Sequence, residues 1–415
     1  MADQYTNSKV PLKDFRSGWI IAMIIAGTGL TLSIFYLGAE IALGLGFKGA
    51  VLAFGISTLI LSLLSTVTAI IGNRSRFSTY MILYFSFGKQ GAKILNFIFG
   101  LILIGWFSVT LELLAIAVID TAQISFGYAI AYWPIILIMG GLITLTTLYG
   151  INSLEQLTNI AVPFLAGFLI YVYVVSFDNG MSFAEVTKYI PDEPSMTLFE
   201  AVAILVGSTV FLPVFLADFS RYAHNDKHSL IAVLGLLIGT PFALYFSAVP
   251  AIQTAEVDII KMMTQFDLVL PAFALLFLST WVTNSLNLFS SALAFSTVKK
   301  NLGYKKLTLI ASLFGIIFAL LGVTTYFFVF LNALGVLIPS ISSIYIIHFF
   351  WIKNQRYELH EVPEWDRDAL LSWGISSLIA FLTYLELFQL TKAYFVDSFL
   401  LGAVIYFLLK RKDLR

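Results

Sequence analysis

The chain has 415 residues, of which 59% are hydrophobic and 12% charged, with a formal net charge of zero and no cysteine. Soluble domains carry about 25% charged residues, so an ordinary water-soluble domain is excluded, and the missing thiols exclude disulfides and Cys-based metal or redox chemistry. Apolar runs of roughly the 20 residues that cross a bilayer core recur along the whole length. Lipid forces their backbone groups to be satisfied within each segment, so the composition predicts an all-α polytopic membrane protein.

Twelve spans are expected, centred near Ile25, Leu61, Gly105, Ile138, Ala166, Gly207, Gly239, Leu278, Gly315, Gly335, Ile379 and Gly402. No signal-peptide pattern precedes the first run, so it is expected to remain as a span. Lys and Arg set the orientation. If the N-terminus is cytoplasmic, that side receives 20 of the 24 basic residues, and the other keeps Lys48, Lys188, Lys261 and Lys392. Both termini are therefore expected in the cytoplasm of a bacterial inner membrane.

Four spans depart from uniform Leu, Ile and Phe. The first contains "IIAGTGLTLS", with Gly27, Thr28 and Gly29 at its middle. The third, "FIFGLILIGWFSVTLELLAIAVI", buries one ionisable group, Glu112. A charge at a helix centre costs about 2.5–3.5 kcal/mol on insertion scales. Three readings stay open: a proton-coupling site, a counter-charge for an amino-bearing substrate, or a protonated group bonding a neighbouring helix. Trp106 in the same span is either a stacking plate for a planar ring or bulky packing. The sixth span contains "ILVGSTVFLP", with Gly207, Ser208, Thr209 and Pro213. Interruptions at matching positions, five spans apart, point to a transporter of inverted repeats with substrate at mid-membrane; close helix packing by small residues is the plainer reading. The eighth, "STWVTNSLNLFSSALAFS", places Thr280, Asn284, Asn287 and Ser291 on one face, as a cavity lining or as interhelical glue worth about 0.6 kcal/mol per contact.

Charges at span ends are read more plainly. Glu40 is a solvated end or part of an outer vestibule; Asp120, Glu200, Glu386, Lys392 and Asp397 have water available; Asp218 and Arg221 hold topology or form an inner-gate pair. His348 is given no role.

The segments "IGWFSVTLELLAIAV", "VGSTVFLPVFLADFSRYAHN", "STWVTNSLNLFSSALAFS", "FLNALGVLIPSISSIYIIHFF" and "YFSFGKQG" resemble the nucleobase–cation symporter family, nearest its cytosine permease branch, over essentially the whole chain. The resemblance implies a LeuT-like five-plus-five inverted-repeat fold: residues 17–176 as the first repeat, 197–350 as the second, and 369–409 as two extra helices. It implies a nucleobase stacked on Trp106 and bonded by Gly207, Ser208 and Asn284. It also implies a sodium site around Gly29 and Leu32 of span one with Ser279 and Thr283 of span eight.

The chain departs from the family pattern at several positions. Leu103 stands in place of a Gln, Thr209 in place of an aromatic (with Phe211 as a substitute), Val282 in place of a hydroxyl residue, Leu286 in place of an Asn, Ser340 in place of the second of two prolines, and Glu112 in place of a small residue. The function expected is import of a nucleobase-like heterocycle with Na⁺ or H⁺ and no other cofactor. Hydantoins, allantoin and a hydroxymethylpyrimidine fit the same architecture; the rival is a transporter of cationic or amino-bearing substrates. The expected partners are the small-molecule substrate and the lipid bilayer, not nucleic acid, and the chain is expected to be a monomer or weak oligomer. No metalloprotease pair, serine elbow or nucleotide-binding loop supports an enzyme or an ATP-driven pump, and no charge ring or filter loop supports a channel.

Overall fold

A computed structural model describes Tyr5 and residues 8–178, 180–299, 301–358, 362–388 and 390–411 of the chain. Lys300, Lys412 and Arg415 of the basic set lie outside the described residues. Among the described residues the structure is helical, with one isolated bridge between Arg16 and Ala223.

Seven helices are long and apolar enough to cross a membrane, and a helix pair bent by 58° makes an eighth span. That bent pair, Gly18–Gly29 and Leu32–Leu45, is span one. Spans two, five, seven and eight are Phe47–Ser75, Ile151–Val175, Asp226–Thr254 and Val269–Val298. Span ten is Phe327–Ile347. Span three is the long part of Thr79–Phe126 that follows a kink at Gly88. Four shorter helices complete the twelve expected positions: Tyr132–Thr147, Tyr304–Leu320, Arg367–Tyr384 and Tyr394–Lys410, as spans four, nine, eleven and twelve.

The contacts repeat at a five-span offset. Span one lies on span seven as span six lies on span two, and span three meets span nine as span eight meets span four. Contacts that recur at a fixed offset are what a structural repeat of five spans produces. Spans three and eight share the most extensive contact outside the one–seven pair, and spans eleven and twelve stand against span ten. The one–seven contact depends on missing side chains: a Cβ at Gly235 would strike the Ala22 carbonyl, and one at Gly239 would sit 2.9 Å from the Ala26 Cα.

The two expected interruptions differ. Span one opens fully: helix stops at Gly29, Thr31 is extended at φ −120° and ψ 155°, and its hydroxyl caps the restart by accepting from the Ile34 N–H. Span six is segmented rather than bent, as Leu198–Thr209, Phe211–Phe215 and Ala217–Ser220 with helical dihedrals at Val210 and Leu216. Pro213 explains this milder break. It has no N–H to give the Thr209 carbonyl four residues back, which leaves that carbonyl available without turning the helix.

Candidate functional site

A cavity of about 110 Å³ lies where spans one, three, six, seven and eight converge. Span three gives it Leu103, Trp106 and Thr110; span six gives Ser208, Thr209, Phe211, Phe215 and Phe219. Thr28, Thr31 and Ser33 enter from the break in span one, and Thr283, Asn287 and Ser290 from span eight. No ionisable side chain among the described residues lines it.

Each wall follows from local chemistry. Trp106 is held edge-on by Phe327 and Phe330, with ring centroids 5.9 and 5.5 Å away. Gly105 permits that clamp, since a Cβ there would lie 2.9 Å from the Phe330 ring. Phe211, Phe215 and Phe219 recur every four residues, one helical face, and the first two rings lie 4.1 Å apart, tilted by 30°. Asn287 brings an amide whose Nδ2 is buried and has no hydrogen-bond partner within the described chain. A buried unpaired donor costs about 1–3 kcal/mol, so this amide is a place where a ligand acceptor would be held.

The structure distributes the expected residues unevenly. Leu103, Trp106, Ser208, Thr209, Phe211 and Thr283 line the cavity. Asn284 does not: its Oδ1 accepts from the Thr110 hydroxyl, and its Nδ2 donates to the Phe107 carbonyl at 3.3 Å. It joins spans three and eight, and Asn287, nearly one turn on, takes its place at the wall. Gly207 turns away to Tyr394 of span twelve, whose hydroxyl lies 3.2 Å from where a Cβ would stand. Glu112 is also off the wall, since both its oxygens accept from Thr324.

The proposed sodium ligands are likewise divided. Gly29 faces Thr240 of span seven, not span eight. Ser279 and Val282 are fully buried, and the Val282 methyl lies 2.9 Å from where a Cβ on Gly27 would be. The side chain of Leu32 lies outside the described residues. The Thr283 hydroxyl donates back to the Ser279 carbonyl at 3.0 Å, and Thr283 lines the same cavity as Thr28 and Thr31 of the span-one break. A hard cation takes oxygen ligands, and here Val282 offers none. If sodium is the coupling ion, Val282→Thr is expected to lower the sodium concentration giving half-maximal uptake several-fold; an unchanged value would show that this position does not face the ion.

Ser33 and Ser208 also line a second, wider cavity of about 340 Å³, which contains Glu40, Asp120 and Asp258. It opens on the face opposite the termini. The terminal face is closed beneath the first cavity. Arg16 pairs with Glu155 at 3.0 Å, its N–H donates to the Tyr222 carbonyl at 2.6 Å, and Gly18 N–H donates to His228 Nδ1 at 2.8 Å. Asp218 accepts from the Thr79 N–H at 2.7 Å, and Arg74 pairs with Asp226.

The profile of permeases for cytosine/purines, uracil, thiamine and allantoin matches residues 17–367. The chain belongs to this family. Within the permease family it is 28% identical to the cytosine permease of Escherichia coli K12 over 364 residues, covering 86% of this chain and 84% of that one. It is 23% identical to the hydantoin permease of Microbacterium maritypicum over 300 residues, 66% of this chain and 61% of that one. The nucleobase-cation-symport-1 family transporter Mhp1, solved closed with bromovinylhydantoin bound, superposes with a TM-score of 0.85 at 18% identity, covering 98% and 95% of the two chains. A Na⁺-coupled sialic acid symporter superposes with a TM-score of 0.73 at 13% identity, covering 96% and 90%. The protein is thus a LeuT-like membrane permease, not an enzyme.

Phe215 and Phe219 are cavity residues to which the sequence alone assigns no role. The four-residue spacing of the phenylalanines in "FLPVFLADF" was the available signal.

Proposed function

We propose that this permease imports an uncharged, planar nitrogen heterocycle of the nucleobase class, cytosine-like in size, by cation symport across a bacterial inner membrane. The observation that carries the reading is the chemistry of the 110 Å³ cavity: an indole, three phenyl rings, hydroxyls and one unpaired amide, with no ionisable side chain among the described residues. Rings stack on rings, and the Asn287 amide and the Ser208, Thr209 and Thr110 hydroxyls read donors and acceptors around the heterocycle's edge. A cationic substrate would need a counter-charge on that wall, and Glu112 is off it. The distribution of basic residues supports a cytoplasmic terminal face, which puts the wider cavity with Glu40, Asp120 and Asp258 on the external side. Residues 17–176 and 197–350 form the two repeats in this reading, and the chain works as a monomer or weak oligomer.

The coupling ion is Na⁺ or H⁺. Thr283 and the span-one break supply the sodium ligands, with Val282 leaving the shell short of one oxygen. The three carboxylates of the wider cavity attract cations of either kind to the entrance.

Thermal stabilisation of the purified protein tests the assignment. A ligand at 100 times its dissociation constant stabilises the folded state by about 2.7 kcal/mol. A neutral ring such as cytosine, uracil, hydantoin or hydroxymethylpyrimidine is expected to raise the melting temperature, more so in Na⁺ than in choline if sodium couples. The shift is expected to disappear in Asn287→Leu. A shift produced by aliphatic amines and by no ring would overturn the reading.

A further inference from the structure

We propose that Glu112 is a positioning residue that holds the outer end of span ten off the central cavity. Glu112 lies off the wall of the central cavity and has no part in substrate binding there. Glu112 is only 5% exposed, high on span three. Its Oε2 accepts from the Thr324 N–H at 2.9 Å, and its Oε1 accepts from the Thr324 hydroxyl at 2.6 Å. Thr324 belongs to a tight turn, Val323–Tyr326, that runs directly into span ten at Phe327. The turn is entered through Gly322 at φ +78°, a left-handed conformation that a side chain would strain.

The carboxylate therefore clamps one residue, Thr324, by both its N–H and its hydroxyl, three residues before span ten begins. Below it on the same helix, Trp106 meets Phe327 and Phe330 edge-on. Span three thus grips the start of span ten at two heights, one polar and one aromatic. A second polar grip comes from behind: Asn332 donates to the Tyr384 hydroxyl at 3.1 Å and accepts from the Tyr394 hydroxyl at 3.1 Å. Thr324, Phe327, Leu331, Asn332 and Tyr394 all border the wider cavity. The outer segment of span ten is thus a wall of the entrance, fixed back against spans three, eleven and twelve while the entrance is open.

Two hydrogen bonds to one residue fix both its position and its orientation, and Glu112 is almost fully shielded from competing solvent. Cutting the Glu112 pair frees the Thr324 N–H and hydroxyl and allows the wall to swing over the cavity. A Gln keeps the geometry, accepting from the N–H and donating to the hydroxyl, so the hydrogen bonds rather than the charge set the position.

The chain has no cysteine, so a single introduced thiol reports the gate. Ser33 lies where the two cavities meet. Ser33→Cys would be labelled in intact cells by a membrane-impermeant maleimide, alone and combined with Glu112→Ala, Glu112→Gln or Thr324→Val. Adding Glu112→Ala is expected to slow labelling about tenfold, a typical size for coupling between sites. Glu112→Gln should stay within about twofold of the parent on the same scale. Thr324→Val, which keeps the backbone donor, should fall between them, and it carries the test if the Ala variant fails to fold. Labelling that is unchanged or faster on cutting the pair overturns the proposal, as does a Gln variant as slow as Ala. The assay contains no substrate, so an error in the nucleobase assignment leaves it intact.

Discussion

Replacing Trp106 with Ala is expected to abolish saturable uptake at substrate concentrations near the parent's KM. Stacking of a base on an aromatic side chain is worth about 1–3 kcal/mol by alanine substitution, a loss of roughly 5- to 150-fold in affinity. The upper part of that range applies here for two reasons. Trp106 presents its indole already clamped by Phe327 and Phe330, so no ordering of the ring is required on binding. The wall also lacks any ion pair or bidentate contact to compensate, since no ionisable side chain among the described residues reaches the cavity. Trp106→Phe should recover part of the affinity, because a smaller π-face remains in the same frame. Binding by thermal shift separates this loss from misfolding, as the Ala variant should melt cooperatively without responding to ligand. Full uptake by Trp106→Ala would mean that the ring binds against the Phe211–Phe215–Phe219 face instead.

How much of this site could be read from the chain depends on the range of the interactions. The span-one break was legible because Gly-Thr-Gly in an apolar run is a local departure. The span-six segmentation was legible for the same reason, though Pro213 softens the chain there rather than turning it. Leu103, Trp106, Ser208 and Thr209 followed from resemblance and do lie on one cavity. Asn284 and Asn287 could not be separated, because a helical stripe spans a wide arc and sequence does not say which edge faces the void. The structure turns Asn284 into the three–eight interface through Thr110. Glu112 was legible as an expensive group but not as a latch, since its partner Thr324 is 212 residues away. Gly207 failed likewise: its neighbour is Tyr394, a residue of the added helices that the repeat pattern does not involve.

The cytoplasmic side offers the other large effect. Asp218 and Arg221 are both fully buried, in the segment where span six ends. Asp218 accepts the Thr79 N–H at 2.7 Å, at the first turn of the helix that leads through Gly88 into span three. Arg221 donates to the Asp218 carbonyl at 3.0 Å, to the Tyr5 carbonyl at 2.9 Å and to the Tyr222 hydroxyl at 3.3 Å. Removing one member of a buried charged pair leaves the other uncompensated, at about 3–5 kcal/mol. Asp218→Leu strands the Thr79 N–H and removes the carboxylate beside the buried guanidinium, and is expected to lower the melting temperature by roughly 3–6 °C. Asp218→Asn retains an acceptor for the N–H and should lose less. Because this network joins span six to the start of span three, the same loss should appear as easier opening toward the cytoplasm. A cysteine placed at Phe219, which lines the cavity floor, would then be labelled faster from inside-out vesicles in Asp218→Asn than in the parent. Equal rates, with the melting loss intact, would confine Asp218 to holding the fold and leave the inner closure to Arg16 and Glu155.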